Sequence, residues 1–190
     1  MIVLGSSSPF RKQLLGKLLD SFETCSPDID ESPLAGESPE QLVQRLALRK
    51  AEAVAEQKPG TLIITSDQVS VLDGQINGKP GNFANAFQQL RNSSDKTVTF
   101  FTSLCLYDGA TANYQLDVET FAVHFRSLTD AQITRYLEKE QPFNCAGSFK
   151  SEGLGISLFT KMEGRDPNTL IGLPLIRLVE MLGKIGIEIP

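Results

Sequence analysis

The chain has 190 residues with 18 Lys and Arg against 23 Asp and Glu, a net charge of −5. That length suffices for one sizeable core or for two small lobes, and the acidic balance disfavours a general nucleic-acid binder, which needs a basic excess to neutralise phosphates. Three scattered cysteines (Cys25, Cys105, Cys145) in no CxxC pairing argue against a disulfide framework or structural zinc, and no apolar run nears the roughly 18 residues of a membrane span, so a cytoplasmic protein with no membrane partner is expected.

Met1 to Gly5 reads as a first buried strand, and Ser6-Ser7-Ser8 as the turn into a helix capped by Ser8 with Pro9 at its first position. Phe10, Leu14, Leu15, Leu18 and Leu19 recur at helical spacing. The serine turn and helix start form a candidate anion site. Arg11 lies in the first turn, where a cation repels the helix dipole, so it is either solvated or placed for function.

Phe22 to Ser26 follows as a short strand, then a loop in which Asp28, Asp30 and Glu31 offer the oxygen ligands that magnesium or manganese prefers, or simply a solvated acidic surface. Ser38 to Gln41 matches a capping box, and Leu42, Val43, Leu46, Ala47, Ala51 and Val54 give the inner face of a helix reaching about Gln57. Lys50 falls among these inner positions, which suits a lysine snorkelling to solvent unless the helix borders a cleft.

Leu62-Ile63-Ile64 is a charge-free, β-branched run suited to a doubly buried strand, and it stops at Ser66-Asp67. Open α/β sheets bind ligands at the carboxyl ends of their strands, so Asp67 is a candidate for chemistry. Asp73-Gly74, flanked by Val69, Val71 and Ile76, signals a two-residue hairpin turn. In that register facing residue numbers sum to 147, which sets Lys79 opposite Gln68 and brings an ammonium back beside Asp67.

Asn82 to Arg91 reads as a helix with Phe83, Ala86, Phe87 and Leu90 inward. Lys96 to Tyr107 and Tyr114 to Arg126 alternate as two strands of a long hairpin, and Thr129 caps a helix to Glu140. Cys145 to Gly155 breaks regular structure with three glycines, for close approach to a ligand or as a mobile loop, and carries Lys150 and Glu152. A last helix runs from about Leu173 to Leu182.

The single histidine, His124, sits mid-strand and suits neither a Ser-His-Asp device nor a zinc hydrolase site, and both the P-loop and GxGxxG patterns are absent. Carboxylates, lysines, an early arginine and a serine turn remain. That set fits metal-assisted attack of water on a phosphoanhydride.

Seven segments in order, LGSSSPFRKQLL, DESP, RLALRKA, ITSDQVSVLDGQINGKP, TVTFFTSL, AGSFKSEG and EGRDPNTLIGLPL, resemble the Maf family of nucleotide pyrophosphatases over nearly the whole chain. The resemblance implies one Maf-like domain over residues 1–190, an elongated α/β fold with a mixed, twisted sheet, and two lobes around a cleft. It implies hydrolysis of a nucleoside triphosphate between the α and β phosphates with a divalent metal, Mg²⁺ or Mn²⁺. Asp67 then takes the proton of the attacking water, with Glu31 beside it, and metal ligation falls to Glu31 and Asp67. Ser6, Ser8 and Arg11 hold phosphate oxygens, and Lys50 and Lys79 neutralise the triphosphate.

Phe10, Gln68 and Glu152 resemble the branch acting on 7-methyl-GTP rather than on dTTP or UTP. N7-methylguanine is a cation, which an aromatic face attracts by about 0.5–2 kcal/mol. Glu152 can accept from the guanine N1–H and N2–H₂ edge. Phe10 departs from the Trp common in that branch, and it also fits a core role. Substrate preference for dTTP, UTP or another non-canonical nucleotide is the alternative, and a nucleotide-binding regulator of septum formation is the non-enzymatic one. No nucleic-acid partner is expected, and a homodimer is left open.

Overall fold

The computed structural model describes residues 1–190 as two compact units. The first comprises Met1–Gln68, Thr102–Glu119 and Asp166–Pro190; the second comprises Val69–Phe101 and Thr120–Arg165. The strands form an eight-stranded mixed sheet with flanking helices, the α/β class expected from the sequence.

In the first unit β1 (Ile2–Gly5) pairs in parallel with β2 (Glu23–Cys25) and β3 (Leu62–Thr65), and β3 pairs antiparallel with the end of β6 (Thr97–Asp108). Helix α1 (Pro9–Leu15) starts at a Ser8 cap, and α2 (Pro39–Gln57) at the full Ser38–Gln41 capping box. Helix α1 is shorter than its apolar stripe: Leu18 and Leu19 lie past its Gly16 cap but still pack on the core. On one sheet face α1 and α6 (Leu175–Lys184) bury Leu4, Ile64, Leu104 and Leu106; on the other α2 buries Val3, Ile63 and Cys105. That double cover explains why Thr102–Tyr107 is buried without interruption instead of alternating. Burial in this apolar layer also pushes the Cys105 thiol up to about 12.

The loop that carries Glu31 is tied to α2 by Arg45. Its guanidinium donates to both carboxylate oxygens of Glu37, at 2.6 and 2.8 Å, and to the Ser32 carbonyl at 3.0 Å. Hydrogen bonding to Arg45 holds the Glu37 carboxyl down at about 2. Because the folded value is depressed, this pair stabilises the fold fully above the ordinary glutamate range near pH 4.3 and fades as pH falls towards 2. Carboxyl NMR should therefore give a Glu37 midpoint near 2, returning to about 4 in Arg45→Gln; a wild-type midpoint near 4 would show the tie to be absent.

In the second unit β4 (Gln68–Leu72, entered from Val69) pairs with β5 (Gln75–Asn77) in the register expected of an Asp73-Gly74 turn, Ser70 facing Asn77 and Leu72 facing Gln75. The ladder ends there, before Lys79. Helix α3 (Phe83–Ser93) is capped by Asn82, and α4 (Asp130–Glu140) by a Thr129–Gln132 capping box. Phe83 is 40% exposed rather than inward; it lies at the first helical position, edge-on to Phe143. The long hairpin of β6 and β7 (Tyr114–Phe125) continues into β8 (Phe159–Gly164), an edge strand not expected from the sequence. His124 bridges Thr97 and Glu163 across these strands at 2.9 and 2.6 Å, a structural use consistent with its mid-strand position.

No helix is long and apolar enough to cross a membrane. The three cysteines are free, and Asp166–Pro190 includes a short helix, α5 (Pro167–Ile171), ahead of the last helix expected from the sequence.

Candidate active site

Parallel pairing of β1 and β3 puts their carboxyl ends side by side, so the serine turn and Ser66-Asp67 leave the sheet together. Gly5 is required at this junction, since a Cβ there would stand 2.6 Å from the Thr65 methyl. Thr65 donates to the Ala47 carbonyl at 2.7 Å, locking β3 to α2. Asp67 is braced from β6: its N–H donates to Ser103 Oγ at 3.0 Å and its carbonyl accepts from Ser103 N–H at 2.9 Å. Ser103 in turn donates to Val43 of α2. The carboxylate is thus fixed by three elements before its side chain makes any contact.

That side chain meets Lys50. Lys50 Nζ lies 2.6 Å from Asp67 Oδ1 and 2.7 Å from Glu31 Oε1, so these two carboxylate oxygens are at most about 5.3 Å apart. Lys50 and Asp67 are each only 7% exposed. Lys50 therefore does not snorkel: its inner-face position points the ammonium at a buried carboxylate instead of at water. Asp30, by contrast, turns its carboxylate to the Ser32 N–H at 2.9 Å and takes no part in the pair.

Arg11 gives Nε to the Gly172 carbonyl at 2.8 Å, and Ser66 Oγ donates to the same oxygen at 2.8 Å. Gly172 has φ 127°, and a Cβ on it would stand 3.3 Å from Arg11 Nε, so the tether depends on glycine. Arg11 keeps partial exposure, yet desolvation of its guanidinium lowers its pKa against the attraction of Asp67 and Glu31. Ser6 Oγ accepts the Ser8 N–H at 3.1 Å and Ser8 Oγ caps the Arg11 N–H at 3.4 Å, which leaves both hydroxyl protons free to donate. With seven residues α1 contributes little field of its own, so any anion there depends on these hydroxyls and Arg11.

Phe10 is half-buried and stands outside the apolar cluster on which the rest of its stripe packs. Gln68 spends its amide N–H groups inside the protein, on Thr102 Oγ1 at 2.9 Å and the carbonyls of Thr169 and Leu170. It positions α5 behind Asp67.

Lys79 and Glu152 belong to the second unit, and both act on Cys145. Desolvation raises its thiol pKa; Glu152 adds to the rise and Lys79 opposes it. The glycine-rich segment is braced rather than mobile. Tyr136 accepts the Lys150 N–H at 3.1 Å, Lys150 Nζ donates to the Glu140 carbonyl at 3.0 Å, and Glu140 Oε2 accepts the Leu154 N–H at 2.8 Å. Its glycines serve close internal packing: a Cβ would come within 2.8 Å of Phe100 at Gly147, 2.7 Å of Glu140 at Gly153 and 2.3 Å of the Lys150 carbonyl at Gly155. Glu152 stays exposed on this rigid support.

Ser66, Ser103 and Gly172 were not singled out from sequence. The signal for Ser103 is its pairing with Thr102, two consecutive polar residues inside an apolar strand, both fully buried.

One lysine holds the Asp67 carboxylate at the end of β3 and the Glu31 carboxylate of the loop after β2, and with the serine turn and Arg11 they make a donor set chemically suited to a phosphorylated ligand. The sequence profile of the family described as Maf-like protein matches residues 1–185, and the chain belongs to that family. It is 55% identical over 188 residues to a protein of Vibrio vulnificus (strain CMCP6) named 7-methyl-GTP pyrophosphatase, covering 99% of this chain and 96% of that one. Among solved structures it is similar to the Ham1 protein of Staphylococcus aureus with a TM-score of 0.46 and 17% identity, over 65% of this chain and 71% of that one.

Proposed function

We propose that the chain is a nucleoside triphosphate pyrophosphatase that hydrolyses 7-methyl-GTP to 7-methyl-GMP and diphosphate, clearing a modified nucleotide from the cytoplasm. The observation that carries the chemistry is the buried Lys50 ammonium bound to Asp67 and Glu31. The substrate class rests on the Vibrio relative.

Asp67 takes the proton of the attacking water as the water oxygen bonds to phosphorus and the bridging P–O bond breaks, with diphosphate leaving. Its rigid bracing by Ser103 keeps the carboxylate in reach of the water at no cost in ordering during the reaction. Ser6, Ser8 and Arg11 donate to phosphate oxygens, and Lys50 and Lys79 offset the triphosphate charge.

The donor set fits a divalent metal of the magnesium or manganese kind. No group of three or more His, Cys, Asp or Glu converges anywhere, so Glu31 and Asp67 would supply two hard oxygens and the substrate phosphates and water the rest. When bound, such an ion neutralises the charge that develops on the phosphate oxygens.

For the base, Glu152 is assigned to the guanine N1–H and N2–H₂ edge and Phe10 to the cationic ring. A uracil or thymine would present an oxygen to the carboxylate and leave both acceptors unpaired where the bound base covers them, at about 1–3 kcal/mol. Glu152→Gln should therefore cut the preference for 7-methyl-GTP over UTP by about 5- to 100-fold in kcat/KM, partly by raising the UTP rate, since the new amide can donate to a uracil oxygen. An unchanged ratio would remove Glu152 from base recognition.

A further inference from the structure

The second unit holds a cavity of about 250 Å³ that none of the residues assigned to the reaction lines. Its walls include Arg126 just past β7, Arg135, Tyr136 and Lys139 of α4, and Leu154 and Leu158 of the segment after Gly153. Arg135 and Lys139 are one helical turn apart and share a face, where like charges repel. Neither side chain makes a hydrogen bond or ion pair. Arg126 commits one of its five N–H donors, to the Ser157 carbonyl at 3.1 Å.

No carboxylate lines the cavity. Of those on α4, Asp130 pairs with Arg91 and Glu140 with Lys150, while Glu138 lies outside it. Three cations therefore surround one small concavity in a chain whose net charge is −5. Its floor is apolar and firm: Tyr136 and Leu158 are 5% and 3% exposed, and the Tyr136 hydroxyl is held by the Lys150 N–H. Folding leaves the repulsion uncompensated, and a bound anion would relieve it.

We propose that this cavity is a binding site for a small organic phosphate, a monoester with a flat apolar body. Two guanidinium forks match the oxygens of a phosphate, and the ammonium adds a third charge without demanding a fixed geometry. The tyrosine and leucine floor accepts the ester group. A concavity of this size suits a small molecule rather than a macromolecular surface.

The test is an NMR titration of ¹⁵N-labelled full-length protein with phenyl phosphate, read at the Arg135, Tyr136, Lys139, Lys150 and Leu154 amides. Saturable shifts are expected there, at least tenfold weaker in apparent affinity in the double variant Arg135→Gln/Lys139→Gln and intermediate in each single variant. Both side chains are exposed, so these variants keep the wild-type spectrum. Benzoate should bind at least tenfold more weakly than phenyl phosphate. The proposal is overturned by the absence of saturable shifts at these amides, by shifts that persist unchanged in the double variant, or by equal affinity for benzoate.

Discussion

Replacing Asp67 by Asn lowers the rate of diphosphate release by about 10²- to 10⁴-fold, the usual worth of a positioned general base. The backbone at 67 is held by Ser103, which the substitution leaves untouched, and an Asn oxygen can still accept from Lys50. The variant should therefore melt close to the wild type and still bind nucleotide. The comparison needs kcat and the nucleotide Kd on the same preparation. A variant that binds and turns over at the wild-type rate would remove Asp67 from proton transfer, and with it the role of the β3 carboxyl end.

Lys50→Met has its largest effect on stability. It removes the cation at 2.6 Å from a carboxylate that is 7% exposed, while Glu31 is more than half exposed at its side chain and can turn to water. Removing one partner of a fully buried pair costs about 3–5 kcal/mol, and the exposed Glu31 end and nearby Arg11 reduce that to about 2–3 kcal/mol here. For a chain of this size that is a fall in Tm of about 4–12 °C. Added Mg²⁺ should restore part of the loss, because a divalent cation can replace the ammonium between the two carboxylates. Thermal melts of both proteins with and without Mg²⁺ check this. An unchanged Tm in Lys50→Met, or a Mg²⁺ shift no larger than in the wild type, contradicts the assignment of Glu31 and Asp67 as a cation-binding pair.

Local signals carried much of this protein. Serine, threonine and asparagine caps fixed the starts of α1, α2, α3 and α4, and Asp73-Gly74 fixed the register of β4 on β5 to the residue. Positions whose meaning depends on distant partners were less legible. A lysine on the inner face of α2 has the same spacing whether it snorkels or ends on a carboxylate, and the deciding partner, Asp67, lies 17 residues away on another element. The three glycines after Cys145 suggested openness to a ligand, yet each accommodates a protein neighbour, two of them from outside the segment. Strand β8 was missed because FTKMEG neither alternates nor is buried beyond its first residue; it exists through pairing with β7. Ser103 and Gly172 matter through single hydrogen bonds that no periodicity records.

The most direct test is diphosphate release by the purified protein from 7-methyl-GTP, GTP, dTTP, UTP and CTP with Mg²⁺ or Mn²⁺, with Asp67→Asn alongside. Release chiefly from 7-methyl-GTP, lost in the variant, is the predicted result. Release chiefly from dTTP or UTP would contradict the assignment of Phe10 and Glu152 to the base, and no release from any of the five would contradict a pyrophosphatase altogether.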